Sequence, residues 1–381
     1  MAFSVDRPHL AAARAVIGQP GSRALIPTPA AVLDLDAFDR NVAKMAARAK
    51  AAGLALRPHA KSHKCASLAH RQIAAGAVGI CCAKPAEAEA MAAAGVGSIL
   101  VTSPIAGAAQ AERAVRLAQD LPDFRIVVDH VDGVDELAIV SQGSIQVLID
   151  VDPGMGRTGV HDATQAVEVF RAVRAQANLK FLGVQCYGGT WQHIAGANAR
   201  AAAVADGMAY LSGVIAALRQ AGADIGVVTG GGTGSFAADA AQGVLTEVQP
   251  GSYPFMDRDY RDALKDDPDG AFEQALTIAA TVISANHPQW VTVDAGLKAF
   301  ATDGPLPVAA TPKFAACAYR FFGDEHGMLM RPPGESVARG ERVEFVPPHV
   351  DPTLDRYDLI HLVRGDVLVE IAPVEARGAS Q

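Results

Sequence analysis

Residues 57 to 64 read RPHAKSHK and concentrate basic side chains in a chain whose net charge is −8. In an extended strand, Arg57, His59 and Lys61 share one face, because side chains alternate with a period of two. Neighbouring cations and partial burial both disfavour an ammonium ion, so we expect the pKa of Lys61 to be lowered. A neutral lysine amine is a nucleophile that can form a Schiff base. The alternative interpretation is a solvated basic loop.

A second candidate is the glycine-rich stretch VVTGGGTGS at residues 227 to 235. Successive glycines let backbone amides approach and surround an anion, and the hydroxyls of Thr233 and Ser235 add donors. The segment QPGSY follows at residues 249 to 253 and offers Gly251, Ser252 and Tyr253 for the same anion. Together the two stretches predict a phosphate site, although plain tight turns would also use these glycines.

Two further stretches carry polar side chains directly after apolar runs. GVQCYGGTWQHI offers Tyr187, Gln192 and His193, and DVDPGMGRTGV offers Arg157. A histidine in this position serves as a base or as a capping residue, and an arginine serves as an anion ligand or as a surface residue. The sequence alone leaves these alternatives open.

The last candidate is the pair His349 and Asp351 in VPPHVDPTLDRYD. In an extended backbone, residues two apart project to the same side, as two ligands of one divalent ion must. Two protein ligands would leave positions for water or substrate, as in catalytic metal sites. GDEHG at residues 323 to 327 is a similar polar cluster that a turn would explain.

The elements that must position these residues follow a regular pattern between residues 54 and 253. Short apolar segments alternate with Ala-rich stretches of helical period, which predicts repeated βα units and a parallel sheet. Eight units fit a closed (β/α)₈ TIM barrel better than an open doubly wound sheet, and they place Lys61 and the glycine-rich stretch at carboxyl ends of strands. The strand candidates are LALRPHAK, VGICCAK, SILVTSP, RIVVDH, SIQVLIDVD, KFLGVQCY, DIGVVTGG and LTEVQPGSY.

After about residue 270 the pattern changes to alternating or continuous apolar runs broken by Gly and Pro, which predicts an all-β domain. The early segment AAVLDLDAF is strand-like and precedes the first barrel strand by a whole helix, so we expect it to join this β-domain. The predicted division is an N-terminal segment at 1–34, the barrel at 35–268 and the C-terminal β-domain at 269–381.

Composition excludes several classes of protein. The chain has 381 residues, of which half are hydrophobic, and its pI near 5.8 lacks the basic excess of a nucleic-acid binder. Five cysteines without metal-finger spacing suggest reduced thiols in a cytoplasmic protein. We expect no signal peptide and no membrane span, since no uninterrupted apolar run approaches eighteen residues.

Nine motifs in matching order resemble the D-threonine aldolase family of pyridoxal-phosphate enzymes, which share an alanine-racemase-like barrel and a β-domain. The resemblance runs from about residue 28 to the C-terminus. The motifs are RPHAKSHK, GICCAKPAEAEA, GMGRTGV, QCYGGTWQH, TGGGTGS, EVQPGSYPFMD, DAGLKA, DEHG and PPHVDPT.

The resemblance implies a role for most of the candidate residues. Lys61 would bind pyridoxal 5′-phosphate as a Schiff base, His193 would be the base, and His349 and Asp351 would hold an activating divalent cation. The matched cofactor-binding positions are Arg157 and Tyr187 around the ring and Gly231, Gly232, Thr233, Gly251 and Ser252 at the phosphate.

The implied reaction is retro-aldol cleavage of a D-3-hydroxy amino acid to glycine and an aldehyde. Manganese or magnesium is expected as the metal, and zinc or cobalt would also suit an imidazole with a carboxylate. The implied assembly is a homodimer. Gly188 and Trp191 depart from the family pattern near the expected substrate pocket, so side-chain specificity stays open.

Three other functions would use some of the same residues. A D-serine or 3-hydroxy-D-aspartate dehydratase would release a 2-oxo acid and ammonia, but related dehydratases tend to place cysteine at the position of Asp351, which favours the aldolase. A non-catalytic cofactor-binding protein would lack the β-domain and the metal pair. An alanine racemase would need a tyrosine acid/base and no metal.

Overall fold

The computed structural model describes residues 10–267 and 272–381, and its strands form two sheets. One short strand, β1 (Ala30–Asp34), precedes the parallel sheet. The eight parallel strands are β2 (Ala55–Leu56), β3 (Ile80–Cys82), β4 (Ser98–Val101), β5 (Asp123–Val128), β6 (Ile145–Val151), β7 (Leu179–Cys186), β8 (Val227–Gly230) and β9 (Glu247–Val248).

The parallel sheet closes into a barrel. Its strands lie in the order β2-β9-β8-β7-β6-β5-β4-β3, and a parallel bridge between His59 and Cys81 joins the two end strands. Each of the eight strands overlaps one of the segments expected from the sequence, so the predicted barrel is confirmed. The carboxyl ends of the strands therefore meet on one face, where barrels of this type place their sites.

Helices connect the strands and cover the barrel. Several begin at an acidic cap: Asp34 accepts from the backbone of Asp36 and Ala37, and Asp257 accepts from Tyr260. The helices are α1 (Ala11–Ala15), α2 (Leu35–Ala51), α3 (Ala66–Ala74), α4 (Pro85–Ala93), α5 (Ala108–Asp120), α6 (Val131–Val140), α7 (Ala163–Ala175), α8 (Ala197–Gln220), α9 (Phe236–Gln242), α10 (Arg258–Leu264) and α11 (Val350–Leu354).

One helix in the described part of the chain, α8, is long and apolar enough to span a bilayer by length and composition. It packs instead against α7 and α9, and it buries Val204, Met208 and Leu211. α8 is therefore a helix of the outer layer of the barrel, with one face buried against its neighbours.

The barrel interior contains an ion-pair layer near the amino ends of its strands. Arg57 is 1% exposed, and its Nε lies 3.1 Å from Glu247 Oε1. Its Nη1 donates to Ser98 Oγ at 2.8 Å. Arg57 therefore shares the inward face that the sequence predicts, but its charge is engaged at the floor of the barrel rather than beside Lys61.

The second sheet is mostly antiparallel and contains the rest of the strands. Its order is β13-β14-β11-β10-β1-β16-β17, with β15 paired to both β10 and β12. These strands are β10 (Leu276–Ser284), β11 (Trp290–Val293), β12 (Val308–Ala309), β13 (Tyr319–Phe321), β14 (Gly327–Met330), β15 (Arg342–Val346), β16 (Leu359–Arg364) and β17 (Val367–Pro373).

The early strand β1 lies inside this second sheet. Val32 is opposite Thr277 of β10 in antiparallel register and opposite His361 of β16 in parallel register. An early and a late part of the chain thus contribute to one sheet. The domain boundary at residue 34 stays a prediction, and the boundary at residue 268 lies outside the described residues.

Candidate active site

A cavity of about 520 Å³ opens at the carboxyl ends of the barrel strands, beneath the segment that precedes α11. Residues predicted from six separate stretches of sequence meet here. Those that line the cavity are Lys61, Arg157, Tyr187, His193, Gly232, Thr233, Gly251, Ser252, His349 and Asp351.

The other two predicted residues lie behind the wall of the cavity. Tyr253 is fully buried, and its hydroxyl accepts a hydrogen bond from Gln72 Nε2 at 3.1 Å. Gly231 has a φ of +68°, a backbone conformation that glycine adopts readily. The structure gives the Tyr253 side chain a packing position, and only its backbone N–H, which donates to Thr233 Oγ1, reaches the neighbouring loop.

Lys61 lies on a 3₁₀ turn, Ala60–Ser62, and not on an extended strand. The turn begins where His59 Nδ1 accepts from the backbone N–H of Lys61 at 3.3 Å. Lys61 Nζ is 3.1 Å from Asp351 Oδ2 of the β-domain.

The expectation of a lowered Lys61 pKa is wrong for this state of the protein. The Asp351 carboxylate raises the pKa of Lys61 above its usual value and outweighs the opposing effect of burial. Sequence analysis considered only the local cations, one of which, Arg57, is already paired with Glu247. The deciding charge comes from a segment nearly 300 residues away.

His59 forms the wall beside Lys61. Its Nε2 lies 3.0 Å from Thr102 Oγ1, at the end of β4. Burial, together with the nearby Lys61, holds the pKa of His59 well below its ordinary value. His59 is thus a neutral side chain that orients the turn that presents Lys61.

The glycine loop, which we define as residues 231–235, is held from below by Gln192. Gln192 Oε1 accepts from the backbone N–H groups of Gly234 at 2.9 Å and Ser235 at 3.2 Å. A Cβ on Gly232 would overlap the Gln192 side chain, so glycine is needed for this close approach. Both polar atoms of the Gln192 side chain form hydrogen bonds within the protein, so this side chain acts as the brace that holds the glycine loop in place.

Thr233 joins the glycine loop to the segment after β9. Its Oγ1 accepts from the backbone N–H groups of Ser252 and Tyr253, each at 3.1 Å. The two stretches that the sequence singled out as anion ligands therefore form one continuous wall. Gly251 completes that wall, where a Cβ would lie 3.3 Å from His59 O.

A buried carboxyl, Asp239, lies beneath the glycine loop and was missed by sequence analysis. Ser235 Oγ donates to Asp239 Oδ2 at 2.5 Å. Burial raises the pKa of Asp239 to about 7, and the hydrogen bond from Ser235 only partly offsets this effect. No sequence signal marks it, because it is one acid in the ordinary helical stretch FAADAAQ.

His193 is the last residue of a 3₁₀ segment, Gly189–His193, that follows β7. Its Nδ1 lies 3.1 Å from Asp259 Oδ2, and its ring centroid is 4.8 Å from that of Tyr260. The hydrogen bond with His193 lowers the pKa of Asp259. Sequence analysis missed Asp259 because local spacing gives no hint that α10 returns to His193.

Trp191, which departs from the family pattern, does not fill the cavity. It is 7% exposed, and Cβ atoms added to Gly188 or Gly207 would overlap its indole ring. The ring therefore occupies a slot between two glycines on the outer side of the segment. The bulky Trp191 and the small Gly188 compensate each other in volume, and they anchor the stretch that presents Gln192 and His193.

His349 and Asp351 come together at the start of a helix. His349 is the residue before α11, and Asp351 lies in its first turn. The prediction that an extended backbone aligns them is wrong, because Asp351 is already helical. His349 Nε2 nevertheless lies 4.0 Å from Asp351 Oδ1, while His349 Nδ1 lies 2.9 Å from Asp303 Oδ2.

This pair has the chemistry of a partial metal site. Asp351 Oδ1 is buried and lacks a hydrogen-bond partner. Bonds from zinc to nitrogen or oxygen are about 2.0–2.2 Å, so the two atoms would have to approach each other by about half an ångström to bind one ion at a tetrahedral angle. Within residues 10–267 and 272–381, no group of three or more His, Cys, Asp or Glu side chains could hold a metal, so an ion at this pair would have at most two of these side chains as ligands.

Arg157 and Tyr187 also line the cavity. The Arg157 guanidinium carbon lies 5.4 Å from the centre of the Tyr187 ring. The loop that carries Arg157 is shaped by Asp152, whose carboxylate accepts from the backbone N–H groups of Gly154, Met155 and Gly156. The contact between Arg157 and Tyr187 places the guanidinium cation over the face of the aromatic ring, to which it is attracted.

Comparisons with known proteins cover both domains. Residues 33–259 match the family model for the N-terminal domain of alanine racemase, and residues 275–363 match the model for a putative serine dehydratase domain. The chain is 38% identical over 369 residues to D-threonine aldolase of an Arthrobacter species, with 95% of this chain and 96% of the relative covered.

Two further similarities agree with these matches. The chain is 36% identical over 364 residues to 3-hydroxy-D-aspartate aldolase of Paracoccus denitrificans strain Pd 1222, with 93% of this chain and 92% of the relative covered. The crystal structure of D-threonine aldolase from Filomicrobium marinum matches with a TM-score of 0.89 and 39% identity, and covers 94% of this chain and 97% of that chain.

Proposed function

Because the chain belongs to the D-threonine aldolase family of lyases on the alanine-racemase-like fold, we propose that it cleaves D-3-hydroxy amino acids to glycine and an aldehyde. The proposal includes pyridoxal 5′-phosphate and a divalent cation as cofactors. The observation that carries it is the meeting of Lys61 and the His349–Asp351 pair at one cavity, with Lys61 Nζ 3.1 Å from Asp351 Oδ2.

The cavity fits pyridoxal phosphate in its chemistry. The wall made by Gly232, Thr233, Gly251 and Ser252 combines small glycines, which leave room for a phosphate, with hydroxyl groups. The backbone N–H groups of Gly232 and Ser252 already donate within the wall, so the Thr233 hydroxyl is a donor that remains for the phosphate. Lys61 lines the same cavity and supplies the amine. When bound, the cofactor would supply an electron sink for the bond broken at the substrate Cα.

The pair His349 and Asp351 would hold the cation. The unpartnered Asp351 Oδ1 is the observation that favours a bound ion, since buried carboxylate oxygens are normally paired. A divalent cation here would supply Lewis acidity toward the substrate hydroxyl. Asp303 contacts the other nitrogen of His349 and so sets the direction of the imidazole.

His193 is the proposed base. It lines the cavity, and with Nδ1 occupied by Asp259, its Nε2 is the ring nitrogen left to accept the proton of the β-hydroxyl. General-base assistance of this kind contributes about 10²–10⁴-fold. Loss of that proton drives the cleavage of the Cα–Cβ bond.

Product analysis tests the proposal. The protein is incubated with pyridoxal phosphate, Mn²⁺ or Mg²⁺ and a panel of D-3-hydroxy amino acids, and aldehyde and glycine are quantified beside ammonia and 2-oxo acid. Aldehyde with stoichiometric glycine is expected. Ammonia and an oxo acid would instead identify a dehydratase, the second candidate, which the match to the serine dehydratase domain model favours.

Borohydride reduction tests the lysine separately. Reduction of the protein with bound cofactor is expected to fix the coenzyme to Lys61, as found by peptide mapping. Attachment to another lysine would remove Lys61 from the proposed role. His193→Ala should retain the cofactor absorbance and lose about 10²–10⁴-fold in turnover.

Assembly and location belong to the same proposal. A homodimer in the cytoplasm fits the open face of the barrel and the separate β-domain, by analogy with other proteins of this fold. Light scattering of the purified protein would report the number of subunits.

A further inference from the structure

The first residues of α10 contact both His193 and the segment that carries His349 and Asp351. Asp259 Oδ2 lies 3.1 Å from His193 Nδ1, and the next residue, Tyr260, places its ring centroid 4.8 Å from the imidazole centroid. Two consecutive residues thus restrain one ring, the carboxylate through Nδ1 and the aromatic ring through its face.

The backbone of the same turn is fixed to the segment that carries the metal pair. The backbone N–H of Arg258 donates to Pro347 O at 3.0 Å, and that of Asp259 donates to Pro348 O at 3.2 Å. The N–H of Val350 donates back to Asp257 Oδ2 at 2.8 Å. The position of the Asp259 carboxylate is therefore set relative to His349 and Asp351.

From these contacts we propose that Asp259 is a positioning residue that holds the His193 proton on Nδ1 and turns Nε2 toward the substrate hydroxyl. A neutral imidazole has one donor and one acceptor nitrogen, and a carboxylate at Nδ1 selects the tautomer with Nε2 as the acceptor. The same logic orients the imidazole of a Ser-His-Asp triad. This inference rests on the proposed function, because it assigns a role within that reaction.

The contact differs from an ordinary exposed ion pair in what surrounds it. Both side chains are partly exposed, at 39% for His193 and 36% for Asp259, so their attraction contributes little to stability. The ring nevertheless lines the cavity, and the turn that carries Asp259 is anchored by two backbone–backbone hydrogen bonds and by one from the Val350 N–H to the Asp257 carboxylate. The contact between Asp259 and His193 therefore orients the imidazole ring but contributes little to the stability of the fold.

The test replaces Asp259 with asparagine in the full-length protein loaded with cofactor and Mn²⁺. Asp259→Asn is expected to lower kcat for aldehyde release by about 10- to 100-fold, the usual effect of removing such a partner, while KM changes little. The matched control is Asp262→Asn, which removes an exposed carboxylate from the same helix, paired only with Arg258 among the contacts of the described residues. This control should retain the parent kcat.

Two measurements separate positioning from a general structural effect. In the His193→Ala background, Asp259→Asn should cause no further loss, because residues that act as a unit are not additive. In ¹⁵N NMR spectra at a pH where the imidazole is neutral, His193 should carry its proton on Nδ1, and Asp259→Asn should redistribute it between the two nitrogens.

Three results would overturn the inference. These are an unchanged kcat in Asp259→Asn, an equal further loss in the His193→Ala background, or a His193 proton that resides on Nε2 in the parent protein. If the parent protein releases no aldehyde, the proposed function fails, yet the NMR measurement still decides whether Asp259 selects the tautomer. The two failures are thus distinguishable.

Discussion

The two walls of the cavity are built in opposite ways. The glycine loop and the segment after β9 are buried and internally hydrogen-bonded, with Gln192 and Thr233 each accepting two backbone N–H groups. The metal pair is partly exposed, and it retains an unpartnered oxygen on Asp351. The comparison shows that the proposed phosphate wall is held by its own hydrogen bonds, whereas the proposed metal wall keeps a carboxylate oxygen with no hydrogen-bond partner.

Lys61 lies at the junction of the two walls. Burial alone would raise the pKa of Asp351, but the neighbouring Lys61 and His349 hold it below its ordinary value. Lys61 thus provides the positive charge that this carboxylate requires. The phosphate wall is shaped instead by hydrogen bonds from its backbone N–H groups to Gln192 and Thr233.

The largest effect expected on this comparison comes from breaking the phosphate wall. Gly234→Ala would place a Cβ against the backbone of Gln192, where neither group can move without disturbing the brace. Overpacking of this kind costs about 1–3 kcal/mol, so we expect roughly 10- to 100-fold weaker binding of pyridoxal phosphate in an absorbance titration. Equal affinity in the variant and the parent would contradict a rigid wall.

The control for that variant is Gly213→Ala. Gly213 lies within α8, and an added Cβ would meet no atom within 4 Å. Alanine favours helix over glycine, so this variant should bind the cofactor as the parent does.

An intermediate effect is expected from weakening the metal wall. Lys64 Nζ lies 2.7 Å from Asp355 Oδ1, which ties the Lys61 segment to the end of α11. Lys64→Met should loosen α11 and weaken Mn²⁺ binding by about 3- to 10-fold in calorimetry, with cofactor affinity unchanged. Equal losses of metal and cofactor affinity would show that the two walls are not independent.

Arg71→Met provides the matched control. It breaks another ion pair between the barrel and the β-domain, Arg71 to Glu370 at 3.0 Å, without touching α11. Metal affinity should therefore be retained.

The smallest effect concerns the carboxyl beneath the phosphate wall. With a folded pKa of about 7 and an ordinary unfolded value near 3.9, Asp239 binds more protons in the native state between these limits. Its contribution to stability is therefore present at low pH and is lost as pH rises toward 7. Between pH 5 and pH 8, the Tm of the parent should fall more than that of Asp239→Asn, by about 2 °C.

A parallel measurement on Asp132→Asn controls for general charge effects, since Asp132 is 80% exposed. Identical pH profiles of Tm for the parent and Asp239→Asn would show that the buried carboxyl does not titrate in this range.

The sequence predicted the barrel strands better than the backbone conformation and charge of the residues at the candidate site. All eight barrel strands were expected, because period-two and helical apolar patterns are local properties. The first strand proved shorter than expected, since Ala60–Ser62 forms a turn around His59. The alignment of His349 with Asp351 came from the start of a helix and not from extended backbone.

Residues that act through long-range contacts were not predictable. Gln192 holds a loop about 40 residues further along the chain. Asp259, which follows the glycine loop in the sequence, contacts His193, which precedes it. Neither has a local pattern that marks its role. Trp191 was noticed as unusual, but only the slot between Gly188 and Gly207 shows that it leaves the cavity open.

By itself, the sequence determined which segments are strands and where glycines allow a close backbone approach, since both depend on local backbone preference and side-chain size. Only the tertiary structure decided the charge state and direction of the reactive groups. Electrostatic interactions act through space, so the pKa of Lys61 depends on an Asp351 that no local pattern could place beside it.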